Sequence, residues 1–178
     1  MIRLLDLFFS LFGIFILSPL LILLLIMGLF DNGSPLFKQT RVGIHQKPFA
    51  LIKFRTMPLG TKSAATHLVK NLKLSFFRSF LRKNKLDEIP QLWNVLIGEM
   101  SLVGPRPCLL NQKKLINERK KRGVFKVRPG ITGLAQIKGI TMQNPILLAK
   151  TDLEMIKQLN VFNYFYYILL TMLLIFKK

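Results

Sequence analysis

From Leu7 to Phe30 the chain carries 24 consecutive uncharged residues, mostly Leu, Ile and Phe. A run longer than ~18 residues reads as a membrane helix, because a helix satisfies every peptide group internally where lipid offers no partner. The run outlasts the ~7 to 15 apolar residues of a cleaved signal and ends on no small-residue cleavage site, so the expectation is a retained anchor. Ser18 and Pro19 sit at its centre, and proline removes one helical hydrogen bond and clashes with the carbonyl four residues back. The halves Leu7 to Leu17 and Leu20 to Phe30 hold 11 residues each. At ~1.5 Å per residue that is about 16 Å, half of the ~30 Å hydrocarbon core. A kinked span and a re-entrant hairpin both fit that length, the proline-kinked span being the commoner arrangement. The cluster Asp31-Asn32-Gly33-Ser34-Pro35 then ends the element as a turn.

Charge constrains the remainder. There are 27 Lys and Arg against 8 Asp and Glu, a formal net charge of +19, in a chain that is 51% hydrophobic. That apolar content excludes intrinsic disorder. The charge implies a polyanionic partner: nucleic acid, an anionic membrane face, or phosphate-bearing substrates. It is also concentrated, because no acid lies between Asp31 and Asp87, a stretch with 12 Lys or Arg. The Lys/Arg-rich bulk after residue 37 therefore belongs on the cytoplasmic side. Cys108 is the lone cysteine, which excludes an internal disulfide, and with His45 and His67 it cannot build a Cys/His zinc site.

Patterning predicts an α+β, mostly helical, membrane-associated chain: residues 1–34 form the membrane element and residues 35–178 a single cytoplasmic unit. Leu36 to Arg41 and Phe49 to Arg55 read as a small β-hairpin. Residues 67–83 repeat Leu68, Leu72, Phe76, Phe77 and Phe80 at helical spacing among Lys70, Lys73, Arg78, Arg82 and Lys83, a basic amphipathic helix suited to a membrane surface or a core-packed face. Leu109 to Arg122 reads as a helix with a cationic last turn before Gly123. Val161 to Phe176, aromatic at one end and followed by Lys177 and Lys178, is short for a span and suits an interfacial helix.

Asp87 and Glu88 stand directly after the acid-free stretch, in Leu86-Asp87-Glu88-Ile89-Pro90-Gln91-Leu92-Trp93-Asn94. Two carboxylates among cations suit a divalent metal and phosphate, and an ionised aspartate can attack phosphorus to form an acyl phosphate. With Pro90 in the first turn of a following helix, the positive helix end favours the ionised forms. An adjacent Asp-Glu more often merely caps a helix. Two other segments weigh against that here: Gly104-Pro105-Arg106-Pro107 and Val127-Arg128-Pro129-Gly130-Ile131-Thr132-Gly133 each set an arginine in rigid Pro/Gly loop chemistry able to grip phosphate oxygens. No phosphate-binding P-loop or dinucleotide glycine fingerprint occurs.

In order along the chain, the Ser-Pro-interrupted anchor, Lys53-Phe54-Arg55-Thr56-Met57, Leu86 to Leu96, Pro105-Arg106-Pro107 and Arg128 to Gln136 resemble the bacterial sugar transferase family, the monotopic phosphoglycosyl transferases. The length is similar to that of the family's minimal members. The resemblance implies transfer of a sugar-1-phosphate from a UDP-sugar to undecaprenyl phosphate, with Mg²⁺, at the cytoplasmic face of the bacterial inner membrane, and with no specific nucleic-acid partner. It implies that Ser18-Pro19 makes a re-entrant helix, that Asp87 is the nucleophile, and that Glu88 helps hold Mg²⁺ beside Asp87 or manages protons. It implies phosphate or nucleotide contacts for Lys53, Arg55, Arg82, Arg106 and Arg128. Lys85, Glu99 and Tyr164 depart from the family pattern, standing where serine, aspartate and aspartate are usual. The competing expectation is a non-catalytic basic anchor for anionic lipid or nucleic acid.

Overall fold

The computed structural model describes residues 1–58 and 75–176. Helix α1 (Ile2–Asn32) runs unbroken through Pro19. The Phe15 carbonyl, which an amide at position 19 would have bonded, instead accepts from the Ser18 hydroxyl at 2.7 Å. Serine beside proline thus repairs the gap that proline opens.

One stripe of α1 packs along the rest of the chain at alternating steps of three and four. Asp6, Ser10 and Leu24 are buried, Gly13 faces Leu92, and Gly28 leaves room for Pro35. The opposite face, including Phe8, Phe12, Phe15, Ile22 and Phe30, is exposed.

β1 (Leu36–Val42) and β2 (Pro48–Phe54) pair antiparallel, close to the expected hairpin. α2 (Phe76–Lys83) starts at Ser75, whose side chain accepts from the Arg78 amide. It covers the end of the expected helix, and Leu68, Lys70, Leu72 and Lys73 lie outside the described residues. A 3-10 turn at Leu86–Glu88 leads into α3 (Gln91–Leu96), where Pro90 occupies the N-cap. β3 (Ser101–Val103) pairs parallel with β4 (Gly130–Thr132), a pairing the sequence reading did not anticipate. α4 (Lys113–Lys121) is shorter than the expected Leu109 to Arg122, because Leu109 bridges to Arg41 instead of entering the helix. α5 (Leu134–Ile137), α6 (Pro145–Gln158) and α7 (Val161–Phe176) complete the chain, and α7 matches its expected range. Lys177 and Lys178 lie outside the described residues.

Two packing devices position the site. Asn94 is fully buried; its Oδ1 accepts from the Ile52 amide at 3.0 Å and its Nδ2 donates to the Ala50 carbonyl at 2.8 Å and to Glu99 at 2.6 Å. The side chain thereby acts as a short extra strand on the open edge of β2 and pins α3 to it. The second device is the crossing of Gly104 over Gly130, where a Cβ on Gly130 would stand 2.0 Å from the Gly104 nitrogen. Only glycine permits this approach, which brings the Pro105-Arg106-Pro107 loop beside the Arg128-Pro129-Gly130 loop.

The core is divided among the faces of these elements. Leu24 of α1 meets Phe54 and Leu81; Phe49 and Leu51 meet Val95 and Met100; Val42, Cys108, Leu115 and Leu148 form a third group. Each such side chain contributes about 1.5–3 kcal/mol on burial.

Candidate active site

A cavity of about 480 Å³ opens between α1, β2, the Leu86–Glu88 turn, the 105–107 loop and α7. Its lining is of two kinds. Lys53, Arg82, Lys85, Asp87, Glu88 and Arg106 supply a charged cluster, and Leu17, Leu92, Ile137, Ile168, Met172 and Ile175 supply apolar surface. The acidic pair reaches this place because Lys85, with φ 55 in the left-handed region, reverses the chain after α2. Lys53 comes from the neighbouring strand, which Asn94 locks to the same unit.

Arg106 is half exposed and its Nη2 donates to Glu88 Oε1 at 2.8 Å. Burial pushes the Glu88 carboxyl upward, but the charge and hydrogen bond of Arg106 outweigh it and hold Glu88 below the usual range. Asp87 goes the other way: burial first and the adjacent Glu88 second push it up to about 6, against the pull of Lys53, Arg106 and Arg82. Burial also lowers Lys53, with Asp87 pulling back. Adjacent carboxylates thus differ in proton affinity through one guanidinium.

The stability consequence has a definite sign. A native carboxyl titrating near 6 holds its proton where the unfolded chain has lost it, so raising pH from about 4 to about 6 weakens the fold. With no divalent cation added, wild type is expected to lose about 2 kcal/mol relative to Asp87→Asn across that window. Parallel thermal melts at pH 4 and pH 6 check this; equal pH dependence in the two proteins would refute it.

The structure brings together Lys53, Arg82, Asp87, Glu88 and Arg106, and leaves two expected residues outside the cavity. Arg55 lies over the Phe37 ring, its centre 5.2 Å away, and donates to the Ser34 and Leu36 carbonyls at 3.1 and 3.3 Å, bracing the chain where it leaves α1. Arg128 donates from Nε to the Gly98 carbonyl at 2.8 Å, and it is Ile131, Thr132 and Gln136 beyond it that reach the cavity wall. Ser18 and Pro19 adjoin Leu17, which is one of the apolar residues lining the cavity.

Sequence reasoning missed Arg41, whose Nη1 donates to the Pro107 carbonyl at 3.0 Å and whose guanidinium is lowered to about 10 by burial and then by Arg106. It shares strand parity with Gln39 and Phe37, a signal available in the hairpin pattern. The wall supplied by α7 was also missed, including the hydrogen bond between the Thr132 and Thr171 hydroxyls. So was Asp6, whose Oδ1 accepts from Ser101 Oγ, the Leu102 amide and Tyr164 Oη at 3.0 Å each, joining α1, β3 and α7.

As to Mg²⁺, the donors present suit it. Asp87 and Glu88 offer hard oxygens, and the push that Glu88 adds to burial in raising the proton affinity of Asp87 is a repulsion that a cation would relieve. Among the described residues no group of three or more His, Cys, Asp or Glu comes together. Mg²⁺ commonly uses one or two carboxylates and completes its shell with phosphate oxygens and water.

Fold and site together give a mostly helical chain with one long apolar helix compatible with membrane association and a pocket lined by a charged, carboxylate-bearing cluster and by apolar side chains. The bacterial sugar transferase profile matches residues 1–178. The chain belongs to that family and is a sugar transferase. It is 43% identical over 138 residues to the uncharacterized sugar transferase EpsL of Bacillus subtilis (strain 168), covering 77% of this chain and 68% of that protein. It is 41% identical over 122 residues to the UDP-glucose:undecaprenyl-phosphate glucose-1-phosphate transferase of Xanthomonas campestris pv. campestris, covering 65% of this chain and 25% of that protein. To the Escherichia coli (strain K12) protein of the same name it is 37% identical over 158 residues, covering 82% of this chain and 34% of that protein. The chain thus spans only part of its longer relatives.

Proposed function

We propose that this chain transfers a sugar-1-phosphate from a UDP-sugar to undecaprenyl phosphate. The observation that carries the reading is the placement of Asp87 and Glu88 among cations in a cavity that is also lined by apolar side chains, a combination matching a phosphate head joined to a lipid tail. Relatives named as UDP-glucose:undecaprenyl-phosphate glucose-1-phosphate transferases support the substrate pair.

In this reading an Asp87 carboxylate oxygen attacks the sugar-bearing phosphorus of the donor. The bond from that phosphorus to the bridging oxygen breaks, UMP departs, and an aspartyl phosphosugar remains. A phosphate oxygen of undecaprenyl phosphate then attacks the same phosphorus, releasing the Asp87 carboxylate and the polyprenyl diphosphate sugar. Arg106 fixes Glu88 in its ionised form, and Lys53 and Arg82 line the same cavity close enough to act on Asp87, as cations for phosphate oxygens. Mg²⁺ held by Asp87, Glu88 and substrate phosphate would supply further charge neutralisation.

The same reading makes α1 a re-entrant element at the cytoplasmic face of the inner membrane. Support comes from both of its ends resting on one folded unit: Arg3 donates to the Val95 and Leu96 carbonyls at 2.6 and 2.9 Å, and Asp31 accepts from Arg78 at 2.6 Å. A transverse span would carry one end away from that unit. A thiol introduced by Ile2→Cys, with Cys108 removed, is expected to react from the cytoplasmic side in the parent and to become protected when Ser18 and Pro19 are both replaced by Leu. Cytoplasmic labelling in both forms would refute the role of the Ser-Pro pair.

The test of function is UMP release by detergent- or nanodisc-held protein with undecaprenyl phosphate, Mg²⁺ and a panel of UDP-sugars. Release with one donor supports the reading; silence across the panel with folded protein counts against it.

A further inference from the structure

The most buried ion pair among the described residues lies outside the cavity. Arg119, at the end of α4, donates from Nε to Asp152 Oδ2 of α6 at 2.9 Å, and its Nη2 stands in ion-pair contact with the same oxygen at 2.8 Å, with side-chain exposures of 2% and 1%. The third edge of the guanidinium is used differently: Nη1 donates to the main-chain carbonyl of Arg106 at 2.8 Å. The next two carbonyls are also held, Pro107 by Arg41 Nη1 at 3.0 Å and Cys108 by the Val42 amide at 3.0 Å. Three consecutive peptide groups are therefore gripped from three directions, directly beneath the residue whose side chain reaches Glu88.

We propose that Arg119, braced by Asp152, is a positioning residue that seats the 105–108 segment so that the Arg106 guanidinium stays on Glu88 in the charged cluster of the cavity. The proposal rests on the reading above only in assigning Arg106 to that cluster's chemistry.

A device for stability alone would not look like this. Taking both charges out of water costs several kcal/mol per ion, commonly more than their attraction returns. Asp152 Oδ1 is moreover buried with no hydrogen-bond partner among the described residues. What the pair supplies is direction. A guanidinium is rigid and planar, so a hydrogen bond from Nε and the ion-pair contact of Nη2 with one carboxylate oxygen fix its plane and aim Nη1. An apolar pair of equal volume would fill the space between α4 and α6 and leave the Arg106 carbonyl without its donor.

Arg119→Lys tests this, since it keeps the charge but has one nitrogen that cannot serve both Asp152 and the Arg106 carbonyl. Transfer turnover is expected to fall about tenfold to a hundredfold, the usual cost of a displaced group near the chemistry. In an Arg106→Ala background the same change should cost less than about twofold, because the effect passes through Arg106. A second readout needs no turnover. Cys108 is the chain's only thiol and fully buried in the gripped segment, and its alkylation by a maleimide in the native protein should accelerate at least about tenfold in Arg119→Lys while the melting midpoint stays close to wild type.

Equal losses in both backgrounds, or unchanged Cys108 labelling, would overturn the proposal. Should Arg119→Lys fail to fold, the double change Arg119→Met with Asp152→Leu removes both buried charges and carries the same expectations. If wild type transfers no sugar phosphate but Cys108 opens in the variant, the proposed function falls and the positioning role stands.

Discussion

Asp87→Asn is expected to lower UMP release by roughly a thousandfold or more while leaving the protein in the membrane, because removal of a nucleophile abolishes the covalent step and leaves only binding and electrostatic rate enhancement. The amide matches the carboxylate in size, so cavity shape is retained; what disappears is the negative oxygen that Lys53, Arg82 and Arg106 surround. Asp87→Ala should behave likewise. The prediction also separates catalysis from charge-driven binding. A chain of +19 binds polyanions in a salt-dependent way whatever its function, and losing one carboxylate should leave that binding equal or stronger. Radiolabelled UDP-sugar turnover in nanodiscs decides the matter, and activity within tenfold of wild type would remove Asp87 from the nucleophile's role.

Asp152→Ala is expected to destabilise the fold by about 3–5 kcal/mol, because it leaves the Arg119 guanidinium buried and unpaired. In a chain of this size each kcal/mol moves the melting midpoint by ~2–4 °C, so a fall of about 10 °C should follow. The double variant Arg119→Met with Asp152→Leu should recover most of that loss. The proton affinity of Asp152 makes the same point, since burial raises it more than Arg119 lowers it. Unfolding followed through Trp93, the only tryptophan, gives the measurement. A single-variant loss below about 1 kcal/mol would show that the site relaxes or admits water, as happens for exposed pairs.

Much of the secondary structure was legible because it rests on local pattern. The hairpin follows from two β-prone runs around Gly43 to Pro48, and α7 from an uninterrupted apolar stretch, and both stand within a residue or two of the expected bounds. Leu109 was misread because its apolar character fits a helix face equally well, whereas pairing with Arg41 is a contact between distant segments. The parallel pairing of Ser101–Val103 with Gly130–Thr132 escaped for the same reason, since three-residue strands carry almost no periodic signal. Asp152 did leave a trace: an acid on the same helical stripe as Leu148 and Met155 is out of place unless something buried meets it.

The amino-acid sequence by itself determined that this chain carries a membrane-length apolar run with Ser18-Pro19 at its centre, a concentrated cationic surface, and an Asp87-Glu88 pair followed by two arginine-bearing Pro/Gly loops. These are properties of composition and near-neighbour spacing, which need no knowledge of distant contacts. Tertiary structure alone decided which cations serve the acidic pair. Lys53 and Arg106 reach it because Asn94 locks β2 to α3 and because Gly104 crosses Gly130, whereas Arg55 and Arg128 spend their donors on carbonyls elsewhere. A long flexible cation can serve many partners from the same position in sequence, and only the carbonyls and carboxylates that folding brings within about 3 Å determine which one it takes.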